Sequence, residues 1–334
     1  MGVRASGSGR AKLLLFGEHA AVYGYPAVGL SLPERIAVEI EAGDELWRVR
    51  EDEADEKSGA SLMAVSDVMA ILGEALPALA TGGRVSIKSG VPRGIGLGSS
   101  AALCVALAEA ALAAAQGGCV QEGAAASSPG RDAVWALAHR AERRFHGSPS
   151  GVDTGLATLG GLWRFDPCPP ELPAARRLDG FELHLVVAAL PRPSSTAVLV
   201  EALRTRLRHE GAARRALARL GDIAAEAASV LSSEREEIAH LGLLADEAEA
   251  LLESLDLVTA GQAELIAAGR KAGAMGGKMS GAGGGGAFYL LYPDRATAQA
   301  GARLVNAAAT GQGLRLALSA RAMSFRPERR RAVE

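Results

Sequence analysis

Near the start of the chain, residues 11–17 run Ala-Lys-Leu-Leu-Leu-Phe-Gly and predict a buried strand, with the polar pair Glu18 and His19 at its exit. Alternation predicts further strands over 35–41, 46–50 and 84–88, and apolar positions recur at helical spacing over 61–76. Residues 99–116 are dense in strong helix formers, and 132–145 return to helical spacing with Trp135, Leu137, Ala138 and Ala141 on overlapping faces. The Gly-, Ala- and Ser-rich stretch 117–130 between them reads as a loop. Glu142 falls in the last turn of the second helix, where the macrodipole disfavours an acid by roughly 0.3–1 kcal/mol. A bound metal would offset that cost.

The stretch 168–173 contains three prolines and reads as a surface linker ahead of a buried strand over 182–190, which sets a domain boundary at 181/182. Helical patterns then cover 196–208, 212–232 and 245–253, and another precedes the glycines that begin near 281. Strands are expected at 287–292 and 314–319. Strands and helices mix without regular βαβ repetition, so the fold class is α+β.

Composition narrows the function classes. A chain of 334 residues with 49% hydrophobic content suits two domains, each with its own core. The net charge of -2 and dispersed Lys and Arg give no footprint for nucleic acid. No apolar run of about 20 residues is free of charge, and the first ten residues lack a hydrophobic leader core, so neither a membrane partner nor secretion is expected. The expected location is the cytoplasm. Cys104, Cys119 and Cys168 show no metal-ligand or disulfide spacing and read as buried or spectator thiols.

Chemistry concentrates in four places. Pro92-Arg-Gly-Ile-Gly-Leu-Gly-Ser-Ser-Ala-Ala102 sets three glycines and two hydroxyls at the mouth of a helix. There, backbone approaches an anion closely and unpaired N–H groups point outward. Neither the Walker loop nor the dinucleotide fingerprint fits it. Gly276-Gly-Lys-Met-Ser-Gly-Ala-Gly-Gly-Gly-Gly286 precedes an apolar strand, which favours close backbone approach to a ligand over a flexible linker. Glu142 and Asp153 flank a turn built on Gly147, Pro149 and Gly151, as a paired-acid site for phosphoryl transfer requires. Read alone, Asp153 serves equally as a turn residue or a helix cap. Lys12 opens the first strand and Glu18 and His19 close it; Lys12 and Glu18 reach one atom only if the chain turns at Gly17.

Taken in order, residues 12–27, 92–102, 146–153 and 278–286 closely resemble the signature segments of the GHMP small-molecule kinases. Gly17-Glu-His-Ala-Ala-Val-Tyr-Gly24 discriminates within them, because galactokinase-like members follow Gly-Glu-His with Thr/Asp-Tyr. Together with His146-Gly-Ser-Pro-Ser-Gly-Val-Asp153 it resembles the mevalonate kinase branch.

The resemblance implies a two-domain fold, with residues 1–181 like ribosomal protein S5 domain 2 and 182–334 ferredoxin-like. It implies ATP and mevalonate as small-molecule substrates, Mg2+ as cofactor, and phosphorylation of the primary alcohol to 5-phosphomevalonate. Homodimers are common among such kinases, so a homodimer is the candidate assembly. By position, Asp153 would take the proton of the alcohol, and Lys12 would lower its pKa and balance charge on the phosphoryl group. Ser100 and Glu142 correspond to Mg2+ ligands, and Pro92, Gly94, Ile95, Gly96, Leu97, Gly98, Ser99, Ser100 and Ala101 to the nucleotide-binding loop. Glu18, His19, Ser150, Asp153, Thr196, Gly281 and Ala282 correspond to the substrate side. Residues 191–196 are longer than the family's Arg-x-Thr segment, and Gly9-Arg-Ala replaces the usual Pro-Gly before Lys12. The rival acceptors within the superfamily are phosphomevalonate, sugars and uronic acids. The rival outside it is a non-catalytic nucleotide-binding regulator, against which the intact Lys12, Ser100, Glu142 and Asp153 stand.

Overall fold

The structure, a computed structural model, describes residues 4–43, 47–51, 59–76, 82–116, 129–147, 149–168, 171–193, 196–233 and 235–327, the side chains of 59–65, 145 and 146 excepted. Cys119 and residues 117–128 of the expected loop lie outside the described residues, as do Pro169 and Pro170 of the linker. The chain divides into two compact units, one of residues 1–12, 31–92 and 98–160, the other of 13–30, 93–97 and 161–334.

In the first unit, β1 (Arg4–Phe16) contributes residues 4–12. The strand begins seven residues before the expected start. Its buried positions there are Ala5, Gly7, Gly9 and Ala11, residues too small to give a hydrophobic signal. Their smallness is the point: a Cβ on Gly7 would lie 2.2 Å from the Ala106 carbonyl oxygen, and one on Gly9 2.0 Å from that of Ala102. Both carbonyls belong to α2 (Ser99–Ala115), which therefore rests directly on the strand's backbone. Residues 36–42 of β2 (Ala27–Ala42) pair antiparallel with β4 (Gly83–Ser89), and β3 (Arg48–Glu51) lies parallel to β4. The unit is completed by α1 (Gly59–Ala75), α3 (Arg131–His146) and α4 (Val152–Leu159), of which α3 and α4 pack on α2. The short α4 had no periodic signal, because eight residues hold barely two turns.

In the second unit, residues 27–30 of β2 pair with β5 (Leu162–Asp166), which pairs in turn with β6 (Ala174–Arg177), both antiparallel. A separate antiparallel sheet has the order β10 (Leu318–Phe325), β7 (Leu183–Leu190), β9 (Gly286–Tyr292), β8 (Gly276–Met279). Val186, Phe288, Leu290 and Tyr292 from this sheet form a core with Leu265 and Ile266 of α8 (Ala260–Lys271) and Val305 of α9 (Arg295–Gly311). The remaining helices are α5 (Thr196–His209), α6 (Gly211–Val230) and α7 (Ile238–Ser254). Among the described residues no helix is long and apolar enough to cross a membrane.

Two expectations here are corrected. The last strand runs over 318–325 rather than 314–319. Leu314 instead closes α9, its N–H bonded to the Ala309 carbonyl after a left-handed Gly313, and pairing with β7 starts only beyond that turn. Residues 276–279, expected to be part of a ligand-approaching glycine loop, form the edge strand β8. Glycine is needed there against α7: a Cβ on Gly276 would lie 2.0 Å from the Gly242 carbonyl oxygen.

Among the described residues no strand lies along the outer edge of β8, and carboxylates of α7 take its N–H groups. Asp246 Oδ1 accepts from Gly277 N at 2.9 Å and Glu249 Oε2 from Met279 N at 2.8 Å. Burial pushes Glu249 up to about 7 from 4.5, against the pull of the Met279 N–H and of Lys278.

Two outcomes follow from these contacts. Gly9→Ala is expected to destabilise the protein by about 1–3 kcal/mol, read as a lowered urea midpoint, because backbone rather than a movable side chain blocks the added methyl. For Glu249 the folded state holds a proton that the unfolded state has released between pH 4.5 and 7, so this group's contribution to stability falls as pH rises through that window. Glu249→Gln removes the loss, and the Tm of the variant minus that of wild type should climb from pH 4.5 to 7 and then level off.

Candidate active site

Within the first unit the two acids and the amine come together. Lys12 Nζ lies 3.1 Å from Asp153 Oδ2, the lysine side chain only 4% exposed and the aspartate 37%. A solvated edge charge is thereby ruled out for Lys12; its ammonium is inside and held by one partner. Asp153 sits in the first turn of α4, where the helix dipole favours a carboxylate. The cap before it, Gly151, has φ 80, and its carbonyl accepts from Trp135 Nε1 at 3.1 Å, so α3 fixes the start of the helix that carries Asp153. Trp135 had been read only as part of an apolar face.

Glu142 of α3 is buried, and its Oε2 has no hydrogen-bond partner. Burial and then the nearby Asp153 charge push its carboxyl up to about 8, with Lys12 pulling the other way. Burying a charged carboxylate is costly, and the neutral form avoids that cost.

The glycine loop lies between β4 and α2, at the strand-to-helix junction expected for it. Gly94, Gly96 and Gly98 all have left-handed φ, at 73, 87 and 75. Gly98 is also the N-cap of α2, and a Cβ on it would lie 2.6 Å from Lys12 Cγ, so the loop closes over the lysine stem. No side chain caps α2 and no acid stands in its first turn, which holds Ser99 and Ser100 and leaves the positive helix end for an anion. Ile95, Leu97 and Ala101 point into cores, so a ligand would meet only their backbone; Pro92 is half-buried and Gly94 exposed.

In the second unit, the end of β1 and the turn after it are stitched to β8 and the glycine run. Leu14 N donates to Ser280 Oγ at 3.1 Å, Ser280 Oγ donates to the Leu14 carbonyl at 2.8 Å, and Tyr289 Oη donates to the Leu15 carbonyl at 2.7 Å. Lys278 Nζ donates to Glu18 Oε1 at 2.5 Å, and His19 Nε2 bonds the Ala282 carbonyl at 3.1 Å. The run itself lies on residues 95–96: Ala287 N donates to the Ile95 carbonyl at 2.7 Å, and a Cβ on Gly281 would be 3.7 Å from the Gly96 oxygen. Gly283 to Gly286 all have left-handed φ, held from α8 by Gln262, whose amide accepts from Gly285 N at 3.3 Å and donates to the Gly286 oxygen at 3.4 Å. Thr259 and Gln262 form a capping box at the start of α8, and its Thr-x-x-Gln spacing is legible in the sequence. Thr196 opens α5, and in the first unit Ser150 Oγ accepts from Val152 N at 3.4 Å.

The family models described as GHMP kinases N terminal domain and GHMP kinases C terminal match residues 63–161 and 209–309. The chain is 32% identical over 323 residues to a mevalonate kinase of Thermococcus gammatolerans, covering 88% of this chain and 90% of the relative. In fold it is similar to the L. major mevalonate kinase solved with R-mevalonate, with TM-score 0.77 at 22% identity, covering 97% and 96% of the two chains. It is also similar in fold to the Lactococcus lactis galactokinase solved with galactose, with TM-score 0.72 at 16% identity, covering 97% and 93%. The fold is thus shared across acceptors, while the sequence likeness is to one of them, and the chain belongs to the GHMP kinases, in their mevalonate kinase family.

Proposed function

We infer that the protein transfers the γ-phosphoryl group of ATP to the primary alcohol of mevalonate, giving 5-phosphomevalonate and ADP. The observation that carries this reading is the buried Lys12 paired at 3.1 Å with a partly exposed Asp153. In the reaction a P–O bond forms from the alcohol oxygen as the bond from the γ-phosphorus to the bridging oxygen breaks. The alcohol's proton passes to Asp153. Lys12 places its charge beside the attacking oxygen and the transferring group, and the loose transition state asks mainly for such positioning and charge balance. The backbone of residues 94–98 and the first turn of α2, with Ser99, hold the phosphates.

Mg2+ fits the residues present. Glu142 offers a buried oxygen that no protein group satisfies, and Ser100 a hydroxyl in the first turn of α2. Among the described residues no three His, Cys, Asp or Glu gather as a metal cage, which suits a cation that takes most of its ligands from phosphates and water. When bound, it supplies charge neutralisation on the phosphate oxygens; the chain's part is to hold Glu142 neutral or paired until then.

On the substrate side the reading places Ser150, Thr196, Gly281 and Ala282, with Glu18 and His19 at the end of β1. The domain division at 181/182 belongs to the same reading, with the phosphate loop and Asp153 in the N-terminal part.

The direct test is turnover of ATP, in a coupled assay, across mevalonate, phosphomevalonate, galactose and glucuronate. Activity with mevalonate alone is expected; preference for another acceptor would reassign the substrate, and binding of nucleotide without turnover would make the chain a regulator. Asp153→Asn is expected to lower kcat at least ~100-fold with little change in nucleotide affinity. Near-normal turnover in that variant would remove Asp153 from the reaction.

A further inference from the structure

The second unit buries a cation that the reaction as described does not use. Lys278 is 0% exposed and so is the Glu18 side chain that it pairs with. Its other hydrogen bond goes to the Met279 carbonyl at 2.7 Å, and its ammonium stands 5.6 Å from the centroid of the Tyr289 ring. A full charge in such a place costs several kcal/mol of desolvation even when paired, and an apolar pair would serve a core equally well or better. Stability alone therefore does not account for it.

Glu18 leads directly into an unusual residue. His19 is one of only two described non-glycine residues with left-handed φ, at 59. A strained backbone of this kind costs on the order of 1–3 kcal/mol and persists only where its surroundings fix it from several sides. Beside the turn's own backbone bonds, from Ala20 N to the Glu18 carbonyl and from Val22 N to the His19 carbonyl, two side-chain bonds do so: Glu18 to Lys278 on one side, and the His19 ring to the Ala282 carbonyl on the other. A carbonyl only accepts, so Nε2 carries the proton and Nδ1 is left as an acceptor. Burial holds the ring down to about 4, so it is neutral in the physiological range.

We propose that Lys278 is a positioning residue for the acceptor substrate: through its ion pair with Glu18 it fixes the strained Glu18–His19 turn, so that the neutral His19 ring offers its Nδ1 to a substrate hydroxyl. Lys278 touches no reacting atom. The placement of the hydroxyl rests on mevalonate being the acceptor, so wild-type turnover with mevalonate is the control that tests that reading separately.

The discriminating variant is the double substitution Glu18→Leu with Lys278→Met, which replaces the pair by apolar groups of similar size and is expected to keep the wild-type Tm within a few degrees. In that folded protein the KM for mevalonate should rise at least ~10-fold while the KM for ATP stays within about twofold. A pair that merely fills the core predicts both constants unchanged, and that result overturns the proposal. Should the double variant not fold, Lys278→Gln keeps a donor for Glu18 and for the Met279 carbonyl without the charge, and the same split is expected; wild-type KM values in it would equally overturn the proposal. Parallel rises in both KM values, in either variant, would show a general loosening and count against it.

Discussion

The placement of one lysine governs the first unit. An ammonium at the start of a strand ordinarily lies in water, and Lys12 lies inside because three separate features admit it. Gly98 removes the Cβ that would strike its stem, Asp153 supplies the opposite charge, and β1 lies close enough to α2 for both to be reached. That closeness depends on Gly7 and Gly9, where backbone packs on backbone with no side chain between. A change in any of these moves the buried charge.

The two acids show how environment divides labour between like groups. Asp153 keeps a cation beside it, a helix N-terminus behind it and partial contact with solvent. Glu142 is buried with an oxygen unsatisfied among the described residues and a like charge nearby, which favours its protonated form. Two residues that differ by a single methylene thus stand in unlike surroundings.

In the second unit the glycine run has backbone freedom that side chains must remove. Gly283 to Gly286 adopt conformations that no other residue type holds without strain. Gln262, the Leu257 carbonyl that accepts from Gly284 N, and the Ile95 carbonyl that accepts from Ala287 N fix them in one arrangement. Lys278, Ser280 and Ala282 then tie the same segment to residues 14–19. A sequence that looks like a linker is thus one of the most bonded segments of the unit.

Much of this was legible in the residues alone. Density in strong helix formers gave α2, and apolar patterns gave α3, α6, β7 and β9, because burying one face or a whole strand leaves a pattern that survives any detail of packing. Spacing marked the glycine loop and brought Glu142 and Asp153 to notice, because glycine is favoured wherever the chain turns left-handed and carboxylates are few. The sequence could not give the start of β1 at Arg4, the edge strand β8, or the last strand's true position, since small residues and glycines carry no hydrophobic signal and owe their structure to what lies against them. Nor could it pair the charges. Lys12 and Glu18 stand six residues apart, yet the fold gives the first to Asp153 and the second to Lys278, partners 141 and 260 residues away along the chain. Residue type and periodicity are local properties written in order, whereas the choice of partner for a buried charge is made only when distant segments exclude water together.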